Sequence, residues 1–172
     1  MIALLMTVAA ALGIVITADA TGVGAVGFVI TVTLMGFGFA FFVGNSLAQR
    51  IPGCLWDRMS LSREAARRCG VTQFNALLTR VGWNKLVFAA RKDPVEGNGS
   101  RWNPRHMKAA AAGHAWGFLL HAVTAVWAAV TGGWVAVLLL LLIGIVGHLY
   151  PVLLQIYALS LLRRHDHRPS IA

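Results

Sequence analysis

The chain has 172 residues, 58% of them hydrophobic and only 12% charged, with a formal net charge of +9. Soluble proteins are roughly 45–50% apolar and about 25% charged, so this composition excludes an ordinary soluble domain. Nucleic acid, the usual partner of a basic soluble protein, is not an expected partner of a chain this apolar. The charge points instead to anionic membrane lipids and to orientation in the bilayer, or to an anionic substrate such as a phosphate or thioester carrier.

A helix needs ~20 mostly apolar residues to cross the hydrocarbon core. The first such stretch is 2–18, which carries no charge. Ala18-Asp19-Ala20 has the form of a signal cleavage site, but no Lys or Arg precedes it, so the stretch reads as a retained span. The second span is 24–43. Its connection to the first is short enough to demand an antiparallel hairpin. Gly36, Ala40 and Gly44 recur every four residues and would let a neighbouring backbone approach closely.

Residues 45–112 differ in kind. They hold Arg50, Arg58, Arg63, Arg67, Arg68, Arg80, Lys85, Arg91, Lys92, Arg101, Arg105 and Lys108, most of the basic residues in the chain. Ile51-Pro52-Gly53 marks a turn. Ser62 suits the N-cap of a short helix ending before Gly70, and Thr72 the cap of a second ending near Gly82. On that second helix Phe74, Leu77, Leu78 and Val81 form one apolar face with Arg80 off it. Such a helix either lies in the membrane interface or packs on the protein. The stretch 97–100, Gly-Asn-Gly-Ser, reads as a flexible turn. Cys54 and Cys69 fall in this loop with no metal-ligand neighbours; they read as structural thiols rather than a disulfide.

The third span is 113–130 and the fourth 134–155. The fourth continues toward Leu162, with a kink or break expected at Pro151, which lacks a backbone donor. The tail, 163–172, is basic again. Basic segments stay inside, so loop and tail are cytoplasmic, the two short connections face out, and both termini lie inside. The expected fold is an all-α membrane protein, a single domain over 1–172. It has four transmembrane helices and a basic cytoplasmic loop containing short interfacial helices, set in the plasma membrane.

Polar residues within spans are costly and often functional. His114 and His121 are seven apart on the third span and share a face; Thr124 lies near it. His148 and Gln155 are seven apart on the fourth, flanked by Tyr150 and Tyr157. Two helices would thus direct three imidazoles and an amide toward one cavity. A neutral imidazole is a competent general base. The same groups can instead fix helix packing by hydrogen bonding across it. An active site predicts a cavity open to the loop side, whereas a packing role predicts side chains satisfied by one another with none. No metal site is expected, because no H-x-x-x-H pair or carboxylate occurs in these spans.

Two segments resemble a known family. Val81-Gly82-Trp83-Asn84-Lys85-Leu86-Val87 is similar to its Trp-Lys-Asp-like loop motif. The stretch from His148 to Tyr157, with Pro151, Gln155 and Tyr157, is similar to its late Asn-x-x-Pro-x-x-x-Gln-Arg-Tyr-Asn-Arg-like motif. His114-Ala115-Trp116 is similar to the His-Trp stretch that opens its third membrane segment. The family is the glycosyl-4,4'-diaponeurosporenoate acyltransferases, small membrane enzymes that complete staphyloxanthin-type carotenoids. In this chain His148 replaces the motif's Asn, and Ile156, Ala158 and Leu159 replace its Arg, Asn and Arg.

The resemblance implies acyl transfer from an activated donor, acyl-CoA or similar, to a hydroxyl of a lipid, glycolipid or carotenoid acceptor. No tightly bound cofactor is implied. His114 would be the base. Trp83, Asn84, His121, His148, Gln155 and Tyr157 would shape the substrate site, and Arg80, Lys85 and Arg91 would hold donor phosphates. Membrane lipids and a lipid-linked acceptor are the expected partners, with a homo-oligomer or membrane complex as the setting. The alternative is a non-catalytic subunit, scaffold or lipid-binding partner of a larger complex.

Overall fold

A computed structural model describes residues 1–83, 85 and 103–166. Asn84, Arg91 and the turn at 97–100 lie outside the described residues. All regular structure among the described residues is helical, and four helices are long and apolar enough to cross a membrane.

Helix α1 (Ile2–Thr21) and helix α2 (Val26–Ala48) form the expected hairpin. Gly22 closes α1 at φ 82, a backbone shape that favours glycine, and its N–H bonds the Ala18 carbonyl. Three short helices follow: α3 (Gly53–Arg58), α4 (Arg63–Arg68) and α5 (Val71–Arg80). The third span is α6 (Pro104–Val130). It starts at Pro104 rather than near residue 113, because Asn103 caps it by accepting the Arg105 N–H, and proline suits the first helical position. Its 27 residues would span ~40 Å at 1.5 Å per residue, so its first turns project beyond a core ~30 Å thick.

The fourth span comprises α7 (Trp134–Ile143), a π-helical turn (Gly144–Leu149) and α8 (Tyr150–Asp166). The break expected at Pro151 is absent. The chain stays helical through it, and the irregularity lies one turn earlier, where the Tyr150 N–H bonds the Ile145 carbonyl, five residues back. A π-turn is one way a helix accommodates such a disturbance without breaking.

Ser62 caps α4 as expected, accepting the Ala65 N–H. Thr72 does not cap α5; Gly70 occupies the cap position, in the left-handed conformation at φ 74, so the helix starts two residues earlier. The question of where α5 rests has a divided answer. Val71 is buried and the Phe74 ring lies 5.1 Å from that of Tyr150, whereas Leu77, Val81 and Trp83 remain exposed. The helix therefore leans on the fourth span by its first turn and offers its second turn outward. Cys54 and Cys69 are free and exposed rather than packed.

The two short connections meet at one end of the bundle, where a side chain on Gly133 would fall 3.2 Å from the Gly24 Cα. Below them lies an apolar layer of Ile14, Phe28, Val32, Ala125, Ala128 and Leu140, with Phe28 edge-on to Trp127. At the opposite end Trp56, Met107, Ala111, Ala112, Ala158 and Leu159 form a second layer. The loop is fastened there. Arg163 donates from Nη1 to the Asp57 carbonyl (2.7 Å) and from Nη2 to the Met59 carbonyl (2.6 Å), while the Leu61 N–H donates to Ser160 Oγ. Leu4, Leu12, Ile16, Leu34, Phe41, Val123, Val126, Leu138 and Leu142 are exposed on the outer faces, as lipid contact requires.

Between the two apolar layers the bundle is drawn tight by small residues. Gly44 and Gly113 bring α2 and α6 into backbone contact: a Cβ on Gly113 would overlap the Ala40 carbonyl, and one on Gly44 the Ala109 carbonyl. The stripe Gly36, Ala40, Gly44 meets a second stripe, Ala109, Gly113, Gly117. This close approach increases van der Waals contact where lipid supplies no hydrophobic drive.

Candidate active site

The tight crossing ends in a cluster of three imidazoles. His121 lies one turn beyond Gly117 on α6, and its Nδ1–H donates to the Gly117 carbonyl at 2.8 Å. His148 comes from the π-turn and sits against both α6 histidines. Its Nδ1 is 3.2 Å from His114 Nδ1, and its ring centroid is 4.9 Å from that of His121. Phe37 of α2 stacks on His148 at 4.3 Å. His148 and His121 are 0% and 1% exposed, whereas His114 is half-buried. His114 is thus the member of the cluster with access from outside.

Glycines make the space. A Cβ on Gly117 would lie 2.5 Å from His148 Cε1 and Nδ1, and one on Gly36 would lie 2.7 Å from His121 Cε1 and 3.2 Å from His148 Nε2. Gly144, at the start of the π-turn, backs onto the His121 Cβ at 3.0 Å. The Thr124 hydroxyl, expected near this face, is shared between the backbone carbonyls of Leu120 and His121 and bonds none of the imidazole rings.

The cluster meets neither sequence expectation completely. The crossing that brings the rings together packs His121 and His148 against the glycine positions of α2 and α6. Yet the network is not self-satisfied: the Nε2 atoms of His121 and His148 are buried with no hydrogen-bond partner among the described residues. Unpaired buried polar atoms cost about 1–3 kcal/mol each, more than a purely packing role would ordinarily tolerate. No group of three His, Cys, Asp or Glu side chains among the described residues has the geometry to hold a metal ion.

The remaining predicted site residues do not join the imidazoles. Gln155 is half-buried on α8, two turns or ~10 Å along the axis from His148, and no hydrogen bond links it to the cluster. Tyr157 is also half-buried on α8. Arg80, Trp83 and Lys85 are exposed at the end of α5. Asn84 and Arg91 lie outside the described residues. Phe37, Gly117 and Gly144 were not anticipated as parts of a site. Gly117 and Gly144 do stand in recognisable runs, the small-residue stripe of α6 and the Gly-x-x-Gly-His run from Gly144 to His148, but neither run says what its glycines face.

The sequence matches the family model of glycosyl-4,4'-diaponeurosporenoate acyltransferase over residues 57–164, more than half of the chain. The matched stretch holds all three imidazoles and the loop helices α4 and α5. It leaves out α1 and α2, and with them Gly36 and Phe37. No curated protein and no solved structure matches the chain.

Proposed function

The chain belongs to the glycosyl-4,4'-diaponeurosporenoate acyltransferase family, and from that membership we propose that it moves an acyl chain from an acyl-CoA or similar thioester to a hydroxyl of a lipid-borne acceptor. The acceptor is a glycolipid or a glycosylated carotenoid. The setting is the plasma membrane, with both termini and the basic loop in the cytoplasm, where a soluble donor meets a membrane-held acceptor.

The observation that carries this reading is the half-buried His114, hydrogen-bonded to a buried imidazole within the stretch that matches the family. Acyl transfer to a hydroxyl needs a base to take the hydroxyl proton and donors to stabilise the oxyanion. His114 is the base. Gln155, with no hydrogen-bond partner among the described residues, is a candidate donor, together with Trp83 and Asn84. Arg80, Lys85 and Arg91 hold the donor's phosphates as charge partners. Tyr157 lines the acceptor side.

The test is release of free CoA by the purified protein given long-chain acyl-CoAs and total lipid extract from its host. Release that depends on the extract and falls about 10²-fold or more in His114→Ala is expected, in the range for loss of a general base. No release with any donor, from folded protein, would overturn the reading in favour of a non-catalytic membrane subunit. Full turnover by a folded His114→Ala variant would remove His114 as the base while leaving the activity in place.

A further inference from the structure

Helix α5 takes its depth from the span it leans on. Tyr150 follows Trp134, the first residue of the last span, by about 24 Å of helix at 1.5 Å per residue. It therefore lies within a hydrocarbon core ~30 Å thick that begins at the short connections. The loop descends to that level along α8. Ser160 accepts the Leu61 N–H, α4 touches α8 next, and a Cβ on Gly70 would lie 3.2 Å from the Tyr150 hydroxyl. From Ser160 to Tyr150 is about 15 Å of helix, directed toward the short connections. Val71, buried, and Phe74, with its ring 5.1 Å from that of Tyr150, then hold the first turn of α5 against the span. An apolar side chain left exposed at this level faces acyl chains, not water.

The sides of α5 are sorted to match. At about 100° per residue, Leu77 and Val81 share one side, beside the edge that Val71 and Phe74 press on the span. Thr72, Asn75 and Thr79 lie on the opposite side. Leu77 and Val81 are 56% and 66% exposed, and Trp83 follows them, an amphipathic ring of the kind enriched at membrane interfaces. Arg80 borders the apolar side on the edge turned from the span, and both it and Lys85 are exposed. No acidic residue occurs from Ala65 to Lys92, so the charge on this stretch is of one sign.

We propose that α5 is seated in the headgroup layer on the loop side of the membrane, with Leu77 and Val81 among the acyl chains and Arg80 and Lys85 at the phosphates of anionic lipids. The partner of the exposed turn is the lipid surface, not another protein. Long cationic side chains suit this seat, since their stems lie along apolar surface while their charges reach the phosphates. The proposal does not rest on the acyltransferase reading, in which a donor's phosphates meet the same cations at the same layer.

Spin labels read the depth. Leu77→Cys, Val81→Cys and Thr79→Cys are made singly in the full chain carrying Cys54→Ser and Cys69→Ser, labelled, and placed in phosphatidylcholine vesicles with or without phosphatidylglycerol. Molecular oxygen gathers in hydrocarbon, whereas a neutral nickel chelate stays in water. The labels at 77 and 81 should be relaxed more by oxygen than by the chelate, and the label at 79 the reverse. A label in Val123→Cys, on an exposed outer face of α6, should prefer oxygen throughout and reports that the spans are inserted. Phosphatidylglycerol should raise the oxygen preference at 77, and Arg80→Gln/Lys85→Gln should abolish that rise. With the spans inserted, chelate preference at 77 and 81 would put the helix in water and overturn the proposal. Protection of both positions from both reagents would mean a protein cover, a second copy or another chain, and would overturn it equally. Insertion that ignores phosphatidylglycerol would overturn the anionic partner. None of these readings involves turnover, so their failure is distinct from failure of the acyltransferase reading.

Discussion

Gly117 shows how much of this site is set by a missing methyl group. A Cβ there would lie 2.5 Å from two atoms of the His148 ring, a separation that folded proteins do not sustain, and the ring is walled on its other faces. Gly117→Ala should therefore displace His148 and stretch its bond to His114. We expect a stability loss of about 1–3 kcal/mol, the usual scale of overpacking, read by thermal unfolding in detergent, together with a fall in turnover. Gly38→Ala is the control on α2, since its Cβ would meet nothing within 4 Å; it should leave both unchanged. The spacing of His114 and His121 is plain in the sequence because both sit on one regular helix. The role of Gly117 between them is not, because a glycine in an apolar span looks the same whether it faces lipid, a backbone or an imidazole.

At the scale of elements, the loop helices are held to the bundle through α8. Arg163 donates to two loop carbonyls, those of Asp57 and Met59, near the end of the last helix. Arg163→Ala removes charged hydrogen bonds worth about 1.5–3 kcal/mol each when fully sheltered, less here because the side chain is partly exposed. The loop should loosen without unfolding the spans. Limited trypsin digestion should then cut faster between Arg58 and Arg68, with the melting temperature of the bundle little changed; an unaltered cleavage rate would mean the clasp is not limiting. The Ser62 cap and the amphipathic face of α5 were legible because capping and periodicity are local signals. The choice of Gly70 over Thr72, and the split of α5 between Tyr150 and the outside, depend on what the fourth span presents to it.

For the whole molecule, the fold separates the basic loop from the two short connections. The loop and the last helix lie together at one end and the two short connections touch at the other, the pairing that the distribution of Lys and Arg requires. Cys54 and Cys69 are exposed thiols on the loop side and serve as native reporters. A membrane-impermeant maleimide should label both in inside-out vesicles and neither in sealed cells. Labelling from outside intact cells would reverse the orientation and move the site away from any cytoplasmic donor.

The sequence by itself determined the four spans, their hairpins and the basic loop, because hydropathy, short connections and charge asymmetry act locally and need no knowledge of neighbours. It also singled out His114, His121 and His148, since polar groups in a span are conspicuous. Gln155 lies two turns along the same helix from His148, as its spacing requires, and is half-buried there. Only the tertiary structure decided that His148 pairs with His114 and that Gly36, Gly117 and Phe37 pack against it. Those facts depend on the register of one helix against another, fixed by glycine contacts between α2 and α6 and shifted by a π-turn before Pro151. The glycine stripes recur every four residues in the chain, but which helix they meet, and the π-turn, leave no mark in it.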